Sequence, residues 1–181
     1  MARQIALLRG INVGGHRKIA MAHLRELTEA LGYYDVRTYV QSGNVVFTGP
    51  DTPAAEVAQQ LEQRIAATFG FDVSVVVRSR EELADVVDAN PLRDVATDPA
   101  RHIVVFRAGE VDLERIAGID AAAFAPEAFS VRGRELYVWA PEGVRDSQLL
   151  KALSEQRVGG VATARNWRTV VKLLELANEG V

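Results

Sequence analysis

The spacing of apolar residues in the first part of the chain alternates between the patterns of strands and helices. The run Ile5–Leu8 predicts a strand, and apolar residues at helical spacing over residues 21–31 predict a helix that ends at Gly32. Two β-rich runs, Val36–Val40 and Val45–Phe47, are separated by turn-forming residues that indicate a hairpin.

A second helix and a fourth strand complete this first pattern. Thr52 is the predicted N-cap of the helix, Pro53 occupies its first position, and Gly70 ends it. The run Val73–Val77 predicts the next strand. The order β-α-β-β-α-β within residues 1–79 is that of a ferredoxin-like unit.

Residues 80–181 repeat this order less regularly. The sequence Ser79-Arg80-Glu81-Glu82 is a capping box that opens a connecting helix. We therefore predict an α+β protein of two ferredoxin-like βαββαβ units, residues 1–79 and 80–181, which form an apparent duplication and end in a C-terminal helix. The elements predicted in the second unit are strands at Ile103–Phe106, Phe129–Val131, Leu136–Trp139 and Val161–Arg165, short helices at Val111–Ile119 and Asp146–Leu153, and a last helix from Trp167.

Composition and charge narrow the class of protein. Hydrophobic residues make up 48% and charged residues 25% of the 181 positions, which excludes an intrinsically disordered chain. The formal net charge of −3 argues against a dedicated non-specific nucleic-acid binder. Without cysteine, disulfides and thiolate chemistry are excluded. The chain has neither a signal-peptide core nor an apolar run long enough to span a membrane, so we predict a cytoplasmic protein with no membrane partner.

The segment from Arg9 to Lys18 carries three glycines and several basic residues between a strand and a helix. Glycines let backbone N–H groups approach a ligand closely, and a helix start adds partial positive charge, so the segment suits an anion. Its spacing matches neither the P-loop nor the dinucleotide-binding fingerprint. A flexible loop with solvated charges explains the same residues equally well.

The predicted topology brings a second polar segment to this loop. In a ferredoxin-like sheet the loop after the first strand and the hairpin Gln41–Asn44 lie at the same end, where their donor groups suit phosphate or carboxylate. Turn chemistry alone is the alternative explanation of the hairpin. The predicted ligand-binding residues are Arg9, Asn12, Gly14, Gly15, His16, Lys18, Gln41, Ser42 and Asn44, with a second contact from Arg165 and Asn166.

The residues at the start of the last helix also have a structural interpretation. Asn166 is the natural N-cap of this helix, and Trp167 shares an apolar face with Val170, Val171 and Leu174, so we expect Trp167 to be largely buried. The three histidines match no metal-ligand spacing, and no carboxylate pair suggests general acid–base chemistry. We therefore predict no metal and no cofactor, and we assign no catalytic residue.

Three stretches of the sequence carry a resemblance to a known family. Ala6–His16 with Met21 and Leu24, then Thr38–Phe47, and finally Thr163–Val170 are similar to the bacterial "domain of unknown function 1697" (DUF1697) family. The resemblance implies a two-part α/β protein built on ferredoxin-like units. It implies no activity, substrate, cofactor or catalytic residue.

Three classes of function remain open at this point. The leading hypothesis is a protein that binds a small anionic ligand, phosphorylated or nucleotide-like, at the glycine-rich loop. Binding of RNA or DNA is the first alternative, but the central strands offer only Phe47 where an RNA-recognition sheet needs about two or three stacking aromatics. The second alternative is a regulatory interaction domain that forms a homodimer.

Overall fold

The computed structural model describes residues 1–154 and 159–179, which form two compact units. The first unit contains Met1–Asp85 and the C-terminal residues from Lys172, and the second contains Val86–Val171. Each unit holds one four-stranded antiparallel sheet, so the predicted α+β class is confirmed. The boundary predicted between residues 79 and 80 lies at the start of the helix Arg80–Asp88. The two units divide inside this helix, between Asp85 and Val86.

In the first unit, the four strands of a single sheet are connected along the chain by two helices and one hairpin. Its strand order is β2-β3-β1-β4, with every neighbouring pair antiparallel. Its elements are β1 (Ala2–Leu8), α1 (Met21–Ala30), β2 (Tyr34–Tyr39), β3 (Asn44–Gly49), α2 (Ala54–Phe69) and β4 (Val75–Ser79).

The second unit repeats this strand order as β6-β7-β5-β8. At the end of its first strand, the Arg107 N–H donates to the Arg134 carbonyl and the Ala108 N–H to the Val161 carbonyl, both at 3.0 Å. The remaining elements are α3 (Arg80–Asp88), β5 (His102–Arg107), α4 (Leu113–Ile116), a 3₁₀ turn (Ala121–Phe124), β6 (Ala128–Arg132), β7 (Glu135–Trp139), α5 (Gln148–Ala152), β8 (Ala162–Asn166) and α6 (Trp167–Asn178).

The core of the first unit forms where alternate strand residues meet α1 and α2. Ala6, Val45 and Phe47 pack in one cluster with Leu24 and Leu61, because strand side chains alternate between the two faces of the sheet. The central strands β1 and β3 expose no aromatic side chain, which removes the stacking platform that an RNA-recognition sheet needs. Strand residues whose side chains point to the other face of the sheet are also buried. Four of them are at most 2% exposed: Ile5, Leu7, Val46 and Val76.

Local capping signals in the sequence are confirmed in some places and wrong in others. The Ser79 N–H donates to Glu82 Oε2 at 2.8 Å and the Glu82 N–H donates to Ser79 Oγ at 3.1 Å, which is the predicted capping box. Thr52 does not cap α2, because Pro53 occupies the N-cap position and no side chain bonds to this helix start. The Thr52 carbonyl accepts a bond from Gln4 Nε2.

The helix predicted over Val111–Ile119 is shorter in the structure. The Asp112 side chain accepts bonds from the N–H groups of Glu114 and Arg115 at 3.1 and 3.3 Å, so α4 begins only at Leu113. It already ends at Ile116.

Gly43 gives a test of the packing at the end of the first sheet. It has a φ of +87°, and a Cβ there would lie 2.6 Å from Ile11 Cδ1 and 2.9 Å from Leu8 Cβ. We expect Gly43→Ala to lower the free energy of unfolding by about 2 to 4 kcal/mol, because overpacking adds to backbone strain. Urea denaturation measures this loss.

Gly32 is the matched control for backbone strain alone. Its φ is +91°, and a Cβ there would meet nothing within 4 Å. Gly32→Ala should therefore cost only about 1 to 2 kcal/mol. Equal losses for the two variants would show that the close approach at Gly43 does not matter.

Candidate functional site

The segment between β1 and α1 is a miniature hairpin that the sequence pattern did not indicate. The His16 N–H donates to the Val13 carbonyl at 3.1 Å, and Gly14 and Gly15 have φ values of 60° and 79°. Positive φ at both central positions is the signature of a type I′ turn, for which glycine is strongly preferred. The two glycines lie outside α1, which begins at Met21, so the helix N-terminus does not reinforce them as expected.

Asn12 holds this hairpin in place. Its Nδ2 donates to the carbonyls of Ile19 and Gln41 at 2.9 and 2.8 Å, and its Oδ1 accepts the Ile19 N–H at 2.9 Å. A carboxamide has two N–H donors, and both are used here. Asn12 therefore ties the loop to the neighbouring hairpin instead of presenting an unused donor to solvent.

The predicted proximity of the β1–α1 loop and the β2–β3 hairpin is confirmed. Besides the Asn12 bond, the Leu8 N–H donates to the Gly43 carbonyl at 2.9 Å, and the Arg9 N–H donates to the Ser74 carbonyl before β4 at 2.9 Å. The loop after β1, the β2–β3 hairpin and the entry to β4 thus share one end of the sheet. We call residues 9–18 the basic loop and residues 41–44 the polar hairpin.

The four residues of the polar hairpin differ in accessibility. Asn44 is fully buried, and its Nδ2 donates to the Tyr39 carbonyl at 2.8 Å and to Ser42 Oγ at 3.1 Å. Gln41 and Ser42 are exposed. The predicted site residues of this hairpin therefore divide into an accessible pair and a buried side chain that shapes the turn.

The basic loop exposes three basic side chains and a histidine. Arg9, His16, Arg17 and Lys18 are all exposed. A Cβ on Gly10, which follows Arg9, would lie 4.0 Å from Arg17 Nη1, so the Arg17 guanidinium lies beside Gly10. Among the residues that the structure describes, the side chains of His16, Arg17 and Lys18 make no hydrogen bond or ion pair.

Arg17 is absent from the residues selected by sequence reasoning. Its φ of +48° and its place opposite Asn12, whose N–H donates to the Arg17 carbonyl at 3.2 Å, turn its side chain back toward Gly10. The sequence signal for Arg17 was the Gly14-Gly15 turn, because a tight turn brings the residues that follow it back beside those that precede it.

Arg165 and Asn166 lie in the second unit. The Asn166 Oδ1 accepts the Thr169 N–H at 2.9 Å, which is the predicted N-cap of α6. Arg165 is 7% exposed, and its Nη1 donates to Thr163 Oγ1 and the Ala164 carbonyl, both at 2.8 Å. Burial lowers the pKa of Arg165 to about 10. Both side chains have structural roles here, and their contact with a ligand stays a prediction.

Trp167 is partly buried and stacks on a histidine. Its ring lies 4.7 Å from that of His102, centroid to centroid, with 14° between the planes. His102 is 1% exposed, and within the described ranges its Nε2 has no hydrogen-bond partner. Burial without a partner disfavours the charged imidazole and lowers the pKa of His102 to about 4.

The described residues contain neither a metal-binding cluster nor a membrane-spanning helix. No group of three or more His, Cys, Asp or Glu side chains in residues 1–154 and 159–179 is arranged to hold a metal ion. None of the helices in these ranges has the length and apolar character needed to cross a bilayer.

The sequence matches the family model described as "Protein of unknown function (DUF1697)" over residues 1–137. This protein belongs to the DUF1697 family. The match includes the basic loop and the polar hairpin, and it ends before Thr163–Val170, the last of the three stretches that carry the sequence resemblance.

The fold is similar to that of a solved structure, the conserved bacterial protein SP0830 from Streptococcus pneumoniae. The TM-score is 0.74 and the sequences are 27% identical, with 97% of this chain and 98% of that chain covered. A comparison with curated proteins gave no match.

The buried His102 gives a prediction for the pH dependence of stability. The unfolded chain protonates this imidazole near its ordinary pKa of 6.5, whereas the folded protein does so only near 4. The stabilisation should be complete above pH 6.5 and fall by up to about 3 kcal/mol as the pH drops toward 4. Chemical denaturation of the protein and of His102→Phe across this range measures it, because phenylalanine keeps a ring for the stack and does not titrate. A stability difference between the two that is constant with pH would contradict the prediction.

Proposed function

We propose that this protein binds an anionic ligand where the basic loop and the polar hairpin meet. The observation that carries the proposal is the placement of the Arg17 guanidinium beside Gly10, next to Arg9, with no carboxylate paired to His16, Arg17 or Lys18 in the described part of the chain. Arg17 and Lys18 are cations without a paired counter-charge among the described residues, and a bound anion would supply one.

The rigidity of the two segments supports the same proposal. Both donors of the Asn12 amide and both of the Asn44 amide are used to fix the loop and the hairpin. A site whose backbone is already ordered loses little conformational entropy on binding. Asn12 and Asn44 act as positioning residues in this proposal, whereas Gln41 and Ser42 offer an accessible amide and hydroxyl.

The second unit indicates that the positive charge of the basic loop is not required by the fold. We interpret each unit as a ferredoxin-like copy, because both have the same strand order and the same pair of backbone bonds after the first strand. In the second unit Ala108 stands where Arg9 stands in the first, and Gly109–Asp112 follows with two acidic residues and no basic one. The frame therefore tolerates an uncharged residue at the position of Arg9.

Phosphate or carboxylate is the chemistry that this edge would recognise. Guanidinium groups form paired bonds to both, and backbone N–H groups near Gly14 and Gly15 add further donors. The proposed ligand is a small phosphorylated molecule or nucleotide, and a cytoplasmic location is part of the proposal because such ligands are abundant there.

Nucleic acid is the second candidate ligand, and the shape of the basic loop favours it. Val13 at the turn is 67% exposed, and a Cβ on Gly15 would meet nothing within 4 Å, so the hairpin tip projects from the unit. A two-stranded ribbon of this kind fits a major groove, with the basic side chains directed at phosphates. Such binding should be strongly dependent on salt.

Thermal-shift measurements with nucleotides and sugar phosphates test the proposal. We expect Arg9→Ala to change the free energy of unfolding without ligand by less than about 1 kcal/mol, because the residue is exposed. The same variant and Arg17→Ala should abolish the shift that a bound anion produces.

Arg132→Ala is the matched control, since Arg132 is an exposed arginine beside the corresponding hairpin of the second unit. It should leave the shift unchanged. A loss of several kcal/mol in Arg9→Ala with the ligand response intact would identify Arg9 as a structural ion-pair partner. Fluorescence anisotropy with short duplexes separates the two ligands, since about three phosphate contacts give a slope of about −3 in log affinity against log salt.

A further inference from the structure

A cleft of about 450 Å³ lies between α1 and α2 of the first unit. His23, Glu26 and Leu27 line it from α1, and Arg64, Thr68 and Phe69 line it from α2. Its volume falls in the range of roughly 300 to 1,000 Å³ that is usual for small-molecule sites. None of these residues belongs to the basic loop or the polar hairpin, so the cleft is a separate feature of this unit.

Helix geometry explains why these side chains share the cleft. His23, Glu26 and Leu27 are spaced three and four residues apart on α1, and Arg64 and Thr68 are four apart on α2, so each set lies on one helix face. Both helices are anchored by fully buried leucines that pack against the sheet, Leu24 in α1 and Leu61 in α2. The walls of the cleft are therefore held by regular helices rather than by loops.

The two walls carry opposite charges that do not neutralise each other. Glu26 on α1 and Arg64 on α2 both line the cleft, and neither side chain makes an ion pair or hydrogen bond within the described ranges. The same holds for the side chains of His23 and Thr68. A carboxylate and a guanidinium on opposite walls that do not pair with each other can be bridged by a ligand that carries both complementary charges.

Apolar side chains complete the cleft between these charges. Leu27 is 6% exposed and Phe69 is partly buried, and both belong to the hydrophobic cluster of the unit. A ligand that covers them gains from burial of its own apolar surface, which a purely ionic contact at an exposed site does not provide.

We infer that this cleft binds a small zwitterion with an apolar side group, such as an aromatic amino acid. The ammonium group of the ligand pairs with Glu26, its carboxylate pairs with Arg64, and its apolar group lies on Leu27 and Phe69. The Thr68 hydroxyl and the His23 imidazole supply further polar contacts. This site is independent of the proposed anion site on the basic loop.

Amide NMR titration with three matched probes tests the inference. L-Phenylalanine carries both charges, phenethylamine lacks the carboxylate and 3-phenylpropanoate lacks the ammonium group. We expect L-phenylalanine at millimolar concentration to shift the amides of Leu27, Thr68 and Phe69, and to bind about threefold or more tightly than either probe with one charge.

Two variants should change the selectivity in opposite directions. Arg64→Gln should weaken L-phenylalanine and 3-phenylpropanoate by about threefold and leave phenethylamine unchanged, whereas Glu26→Gln should weaken L-phenylalanine and phenethylamine only. Glu29→Gln is the control, because Glu29 is exposed on α1 and does not line the cleft. The inference is overturned if L-phenylalanine shifts none of these amides, or if each variant weakens all three probes equally.

Discussion

The arrangement of the candidate anion site depends on one carboxamide. Asn12 sits in the left-handed region with a φ of +55°, and its side chain bonds twice to Ile19 and once to Gln41. These three bonds close the base of the hairpin and join it to a segment that lies far away in sequence. Because Arg9 and Arg17 flank this closed base, the Asn12 amide helps to fix their positions relative to Gln41 and Ser42.

Features that depend on residues close together in the sequence could be predicted, whereas features that depend on residues far apart could not, unless the sheet topology brings them together. The order of strands and helices was predicted from the periodicity of apolar residues, and the caps at Ser79 and Asn166 were predicted from short-range sequence signals. The structure confirms both predictions. The meeting of the loop and the hairpin could be expected because sheet topology alone dictates it. The stack of His102 on Trp167 depends on packing between two residues that lie far apart in sequence, so no local pattern relates them.

The same strand order in the two units does not bring the same surface charge. Strand order and the backbone bonds at the end of the first strand are shared, but the residues after that strand are basic in the first unit and acidic in the second. The hydrogen bonds that hold the end of each sheet together therefore do not depend on the charge of the residues after the first strand. In the α1–α2 cleft, the packing of the helices likewise does not depend on the charged residues, since these lie outside the packed core that fixes the helices.

The close packing around Gly43 has a consequence for how this protein can change over evolutionary time. A side chain at Gly43 would collide with Leu8 and Ile11, and the next residue, Asn44, is enclosed and bonded to Tyr39. Gln41 and Ser42 are open to solvent just before this rigid pair. Substitutions at residue 41 can therefore change the recognition chemistry without disturbing the fold, whereas Ser42 accepts a bond from the buried Asn44 amide and is constrained together with the two residues that follow it.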